Sequence, residues 1–213
     1  MKRILRPFAF TLACLFLFST AGPAQRTTSR LSARDAEIER KINALVARMT
    51  VAEKLGQLQQ LDGEANGKYR PEHLEMARKG LLGSTLNVRG AKMTNELQRA
   101  ALESRLKIPL LLGFDVIHGY RTIFPVPLGE TASWDMSLLE RSAAVAAAES
   151  RAAGVHWTFA PMLDISRDPR WGRVIEGAGE DTFLGTQASV ARVRGFQGTD
   201  YSRPDRILAT AKH

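Results

Sequence analysis

Several groups able to do chemistry stand just past apolar runs. Asp115 closes IPLLLGFD (108–115), Asp164 follows VHWTFAPML (155–163), and Lys212 and His213 end RILATAKH (206–213). A further concentration of charge lies in one connection, RDPRWGRVIEGAGED (167–181), where arginines mix with carboxylates around Trp171 and three glycines. Carboxylates accept hydrogen bonds, whereas guanidinium and ammonium groups donate them. A set of this kind therefore makes charge-assisted bonds to a ligand or within itself. Other chemistries are disfavoured. The only cysteine, Cys14, lies in an N-terminal apolar run, so the rest of the chain carries no thiol nucleophile or thiolate metal site. His73, His118, His156 and His213 lack the close spacing of a zinc site, and no metal or cofactor is expected. LLGST and LLGFD hold one glycine each, and GAGED lacks the spacing and preceding strand of a dinucleotide loop.

The elements that must position these groups alternate. Ile38, Ile42, Leu45, Val46 and Met49 recur at three- and four-residue steps, which predicts a helix from Asp35. Thr50 and Glu53 have the spacing of a capping box at the head of TVAEKLGQLQQL. A short helix from about Glu72 is stopped by Gly80. Beyond it, strands are expected at 81–88, 108–115, 155–163 and 206–213. Helices are expected at 93–106, at 137–154 (closed by Gly154) and near 183–195. Uniformly apolar strands separated by helices indicate a parallel sheet covered by helices. An open doubly wound sheet and a closed (β/α)8 barrel both fit. Either way the carboxyl ends of the strands open on one face, where Asp115, Asp164, Lys212 and His213 should converge.

Composition sets outer limits. A chain of 213 residues with 44% hydrophobic and 24% charged residues is that of a soluble globular protein. Its net charge of +8 includes Lys2, Arg3 and Arg6, which leaves +5 without them. The other basic residues are scattered among carboxylates, so a nucleic-acid partner is not expected. Residues 1–24, MKRILRPFAFTLACLFLFSTAGPA, combine a basic start, an apolar run from Phe8 to Phe18 and small residues at Gly22 and Ala24. These are the parts of a secretory signal peptide, cleaved after Ala24 or else Ala21. The run is too short to span a bilayer. Residues 25–34 read as a polar linker, and 35–213 as the folded part.

The stretches GFDVIHGYRTIFPVPLGETASWD (113–135), the loop at 167–181 and the terminal ATAKH closely resemble glycoside hydrolase family 3, nearest its β-glucosidase and β-xylosidase branch. MTVAEKLGQL (49–58) resembles the family's usual start, so the likeness runs in order over nearly all of the chain past the linker. It implies a (β/α)8-type N-terminal domain of which about the first half is present. An exo-acting β-glycosidase retaining configuration is implied, a β-glucosidase ahead of a β-xylosidase, exported to the periplasm or secreted. A non-catalytic carbohydrate-binding protein with the same pocket is the rival reading.

Carried over by resemblance, Asp115 holds distal hydroxyls of the terminal sugar, Arg173 is the sugar-binding arginine, and Lys212 and His213 grip further hydroxyls. The chemistry is reasonable on its own terms. A carboxylate accepts from two vicinal hydroxyls while a guanidinium fork or ammonium donates to their lone pairs. Arg170, Glu176, Glu180 and Asp181 are expected to brace the loop through ion pairs and caps. Trp171 is expected to plug the loop base rather than stack on sugar. His118 and His156 read as structural. The family's nucleophile and acid/base carboxyls match no residue here. The resemblance thus implies an N-terminal piece that is inactive alone, with the rest of the barrel and an α/β sandwich domain to follow.

Overall fold

The computed structural model describes residues 32–213. The expected signal peptide and most of the expected linker lie outside that range. The chain divides into two compact units, residues up to Asn43 and from Ala44 onward. Helix α1 (Ala33–Arg48) begins two residues earlier than expected, where Ser32 and Asp35 exchange side-chain-to-backbone hydrogen bonds.

From Val51 the architecture is an α/β alternation. Helix α2 (Val51–Gln57) starts on the expected capping box. Glu53 N–H donates to Thr50 Oγ1 at 3.2 Å, and Thr50 N–H donates to Glu53 Oε2 at 2.8 Å. It ends sooner than its apolar pattern suggests. Gln60–Asp62 form strand β1, which pairs in parallel with β2 (Ser84–Leu86). This strand is not legible in the sequence, because three residues with no alternation of their own become a strand only by bonding to β2. Close approach at Gly83 permits it, since a Cβ there would stand 2.1 Å from the Gln57 carbonyl oxygen.

Helix α3 (Pro71–Arg78) links β1 to β2, and α4 (Ala91–Glu103) links β2 to β3 (Leu111–Phe114). Helices α5 (Pro127–Thr131) and α6 (Met136–Ala152) lead to β4 (Trp157–Thr158), and α7 (Thr182–Gln197) follows. Gly80 and Gly154 end their helices with φ of +70° and +87°, conformations that cost glycine little. Asp135 and Asp181 cap α6 and α7 through the backbone N–H of Leu138 and Leu184.

The strands lie in the order β1-β2-β3-β4, every pair parallel. A fifth segment continues the series, with parallel bridges Trp157–Leu208 and Met162–Lys212. Each crossover therefore adds its strand on the same side, without the reversal of order that defines a doubly wound sheet. This is the progression of a (β/α)8 barrel. The paired strands are shorter than the apolar runs that announced them. In 155–163 only two residues pair with β3, and Pro161 offers no N–H to continue a ladder.

The core lies where helices cover the sheet. Leu82, Val88, Leu97, Leu110 and Leu112 pack with Ala77, Ala100 and Ala101 of α3 and α4. Val116, Ala143, Ala146, Ala147, Ala160, Phe196 and Ile207 join α6 and α7 to the later strands. Each fully buried Leu, Val or Phe contributes roughly 1.5–3 kcal/mol relative to exposure. A buried ion pair ties the second layer together: Arg192 Nη1 of α7 meets Glu130 Oε2 of α5 at 2.5 Å. Its Nη2 donates to the Ile117 carbonyl in the connection after β3.

Candidate functional site

Sheet geometry brings the strand-end residues together. Asp115 follows β3 directly, and the Met162–Lys212 bridge sets Lys212 level with the end of the 155–163 run, next to Asp164. Lys212 Nζ reaches Asp115 Oδ1 at 3.2 Å. Among the described residues the other Asp115 oxygen takes no hydrogen bond. His213 Nδ1 lies 2.7 Å from Asp164 Oδ2, and its Nε2 lies 2.9 Å from Arg173 Nη1. A guanidinium can only donate, so Nε2 accepts and the ring proton sits on Nδ1, facing Asp164.

The loop at 167–181 supplies the remaining groups. Arg170 forks onto Asp168 locally, with Nε–Oδ1 at 2.9 Å and Nη2–Oδ2 at 2.6 Å. Arg173 precedes a single 3-10 turn, Val174–Glu176, whose three-residue step stacks Glu176 beside it. The result is a bidentate pair: Arg173 Nε donates to Glu176 Oε1 at 2.7 Å, and Nη2 donates to Oε2 at 2.6 Å. Glu176 Oε2 also lies 3.8 Å from Lys212 Nζ. Arg173 holds the Glu176 carboxyl below the ordinary carboxylate range, with help from Lys212. His213 does the same for Asp164. The Arg173 guanidinium is pushed up by its bond to Glu176.

The cluster is layered. Side chains of Lys212 and Glu176 are 13% and 20% exposed, whereas Asp115, Arg173 and His213 are 42–45% exposed. A ligand arriving from solvent meets the second set, and the first lies beneath. Trp171 is not the expected plug: it is itself exposed, and the Arg173–Glu176 fork, together with the Ser166–Gly179 backbone bond, closes the loop base instead. Glu176 does brace the loop through an ion pair, as expected, but it also touches Lys212 on another segment. His118 Nδ1 lies 3.0 Å from the Phe124 carbonyl. His156 Nδ1 accepts from Leu112 N–H at 3.4 Å, and burial holds its imidazole down to about 4. Both are structural.

A second concavity lies elsewhere. A cavity of about 580 Å³ is lined by Gln60, Ser84, Leu111 and Trp157, the first residue of each strand, so it opens at the opposite end of the sheet from the charged cluster.

Residues 50–213 match the model of the glycosyl hydrolase family 3 N-terminal domain. A periplasmic β-glucosidase of Salmonella typhimurium is 38% identical over 174 residues, which cover 81% of this chain and 22% of that protein. A putative β-xylosidase of Formosa agariphila is 32% identical, with all of this chain and 31% of that protein covered. The crystal structure of a β-glucosidase from Listeria innocua in complex with glucose superposes with a TM-score of 0.73 at 38% identity, over 82% of this chain and 26% of that one. The chain thus spans between about a fifth and a third of the length of these relatives. With a family match over most of its length and the parallel strand order of a barrel beneath it, the chain belongs to glycosyl hydrolase family 3.

Proposed function

We propose that the cluster grips the terminal, non-reducing sugar of a β-glucoside, and that the chain is the sugar-binding part of an exo-acting, retaining β-glycosidase. One observation carries the reading. Asp115, Arg173, Lys212 and His213, from three separate segments, are joined through Glu176 into one cluster, with Asp115, Arg173 and His213 facing solvent above Lys212. Asp115 accepts from vicinal hydroxyls through its unoccupied oxygen. Arg173 and Lys212 donate to hydroxyl oxygens, each charge-assisted bond contributing roughly 1.5–3 kcal/mol. The His213 ring completes the rim of the cradle. A neutral polyol is held in this way without a net-charge partner.

Glucose is the favoured sugar, in keeping with the β-glucosidase names among its relatives, and xylose is the alternative offered by the xylosidase relatives. The basic and apolar N-terminal segment and the periplasmic relative support export to the periplasm or the exterior. Retaining hydrolysis needs two carboxyls about 5–5.5 Å apart. No residue of this chain is assigned to either role, so the reading gives it binding rather than turnover.

The test is a titration of the isotope-labelled chain with methyl β-glucoside and methyl β-xyloside, following the His213 ring and Arg173 side-chain NMR signals. Saturable shifts with the glucoside that vanish in Asp115→Ala are expected. Shifts that are absent, or equal in the variant, would overturn the reading.

A further inference from the structure

We propose that Glu176 is the positioning residue of this site: it lies beneath the sugar-facing groups and fixes where both cations point. The proposal rests on the sugar-binding reading above and deepens it. Glu176 contacts both Arg173, across two bonds of 2.7 and 2.6 Å, and Lys212, at 3.8 Å. These cations come from different places, one from the loop at 167–181 and the other from the fifth segment of the sheet. Glu176 therefore joins two elements that the sheet itself does not hold in register.

Its consequence for Arg173 follows from counting donors. The guanidinium has five N–H groups in a rigid plane. Glu176 takes one on Nε and one on Nη2, and so turns the Nη1 edge toward His213 and solvent. For Lys212 the effect is competitive. The ammonium has two carboxylates within reach, Asp115 at 3.2 Å and Glu176 at 3.8 Å. Without the second, Lys212 is free to settle fully on Asp115 and occupy the oxygen that the sugar hydroxyls need. Arg173, released from its fork, is likewise drawn toward the carboxylates of Asp115 and Asp164, which already act on it electrostatically. Loss of one partly covered negative charge thus disables acceptor and donors together, although Glu176, beneath the more exposed groups, does not touch the ligand.

Glu176→Gln keeps the shape but removes the charge and replaces one of the two acceptor oxygens with an NH2 donor, so the two-bond fork from Arg173 is lost. Glu176→Asp keeps the charge on a shorter arm. With methyl β-glucoside as the probe, Glu176→Gln should weaken binding roughly 10- to 100-fold, the size of a lost charge-assisted contact, and Glu176→Asp should recover part of it. The Arg173 Nε–H signal, protected from solvent exchange in the wild-type chain, should exchange freely in Glu176→Gln. The thermal melt, by contrast, should move little, because the pair is partly exposed. Wild-type affinity in both variants would overturn the proposal and leave the sugar reading intact. Equal loss in both, with a collapsed melt, would show a structural role only and overturn it as well. No binding by the wild-type chain would defeat the sugar reading, and this proposal with it.

Discussion

Asp115 and Lys212 are 97 positions apart in the chain, and their side chains meet at 3.2 Å. Two helices of the second layer, strand β4, the charged loop and α7 all lie between them, so the contact exists only because consecutive parallel strands deliver their carboxyl ends to one face. The pair is asymmetric. Lys212 is largely covered and Asp115 is close to half exposed, so the ammonium acts as a fixed base plate for a carboxylate that still faces water.

Lys212→Met should therefore separate binding from stability. An ion pair with one partner this exposed is screened by solvent and contributes about 0–1 kcal/mol. The denaturation midpoint should shift by no more than that, while the glucoside-induced signal shifts disappear. A loss of several kcal/mol in urea unfolding would show that the pair supports the fold instead.

The Glu130–Arg192 pair should behave in the opposite way. Both side chains are at least 94% covered, at 3% and 6% exposure. Glu130→Ala leaves a buried guanidinium without its counter-charge, at a cost of about 3–5 kcal/mol. Replacing both residues together, as Glu130→Leu with Arg192→Met, should recover much of the loss. Urea melts of Glu130→Ala and of the double variant measure this directly.

Helix α7 owes its approach to α6 to one glycine. A Cβ on Gly195 would stand 2.4 Å from the Glu140 carbonyl oxygen and 2.6 Å from the Ala143 Cβ. Alanine in place of a helical glycine ordinarily gains up to about 1 kcal/mol. Here the clash with backbone should win, and Gly195→Ala should lower stability by about 1–3 kcal/mol in chemical denaturation.

Acid should weaken the protein in two steps. Burial holds His156 down to about 4 against an ordinary 6.5, so the unfolded chain takes up that proton first. Its contribution is complete above pH 6.5 and is lost as pH falls toward 4. Arg105 and the Thr50 cap hold Glu53 down to about 2 against 4.5, and its contribution is lost as pH falls from 4.5 to 2. Melting curves across pH should show His156→Asn flattening the first window. Glu53→Gln should be less stable than wild type near neutrality and converge with it below pH 4.5.

Much of this molecule was readable residue by residue. The capping box of Thr50 and Glu53, the terminations at Gly80 and Gly154, and the Asp181 cap are local events within a few positions of chain, and local chemistry determines them. Strand-end placement of Asp115, Asp164, Lys212 and His213 followed from the apolar runs alone. Strand β1 was not readable, because its three residues have partners only in β2. Short α5 was missed because five residues give too little of a helical period to recognise. Exposure of Trp171 was missed because an aromatic ring in a loop plugs or projects according to what else fills the loop base.

By itself, then, the chain's sequence determined which groups are present, which helices begin and end where, and that acidic and basic side chains share one end of a parallel sheet. Tertiary structure decided which of them touch. Glu176 lies three residues from Arg173 but thirty-six from Lys212, and its double contact depends on a loop being folded onto a strand that comes later in the chain. Hydrogen bonds and ion pairs act over a few ångströms, and no local pattern encodes a distance that only the closed packing of helices on strands sets.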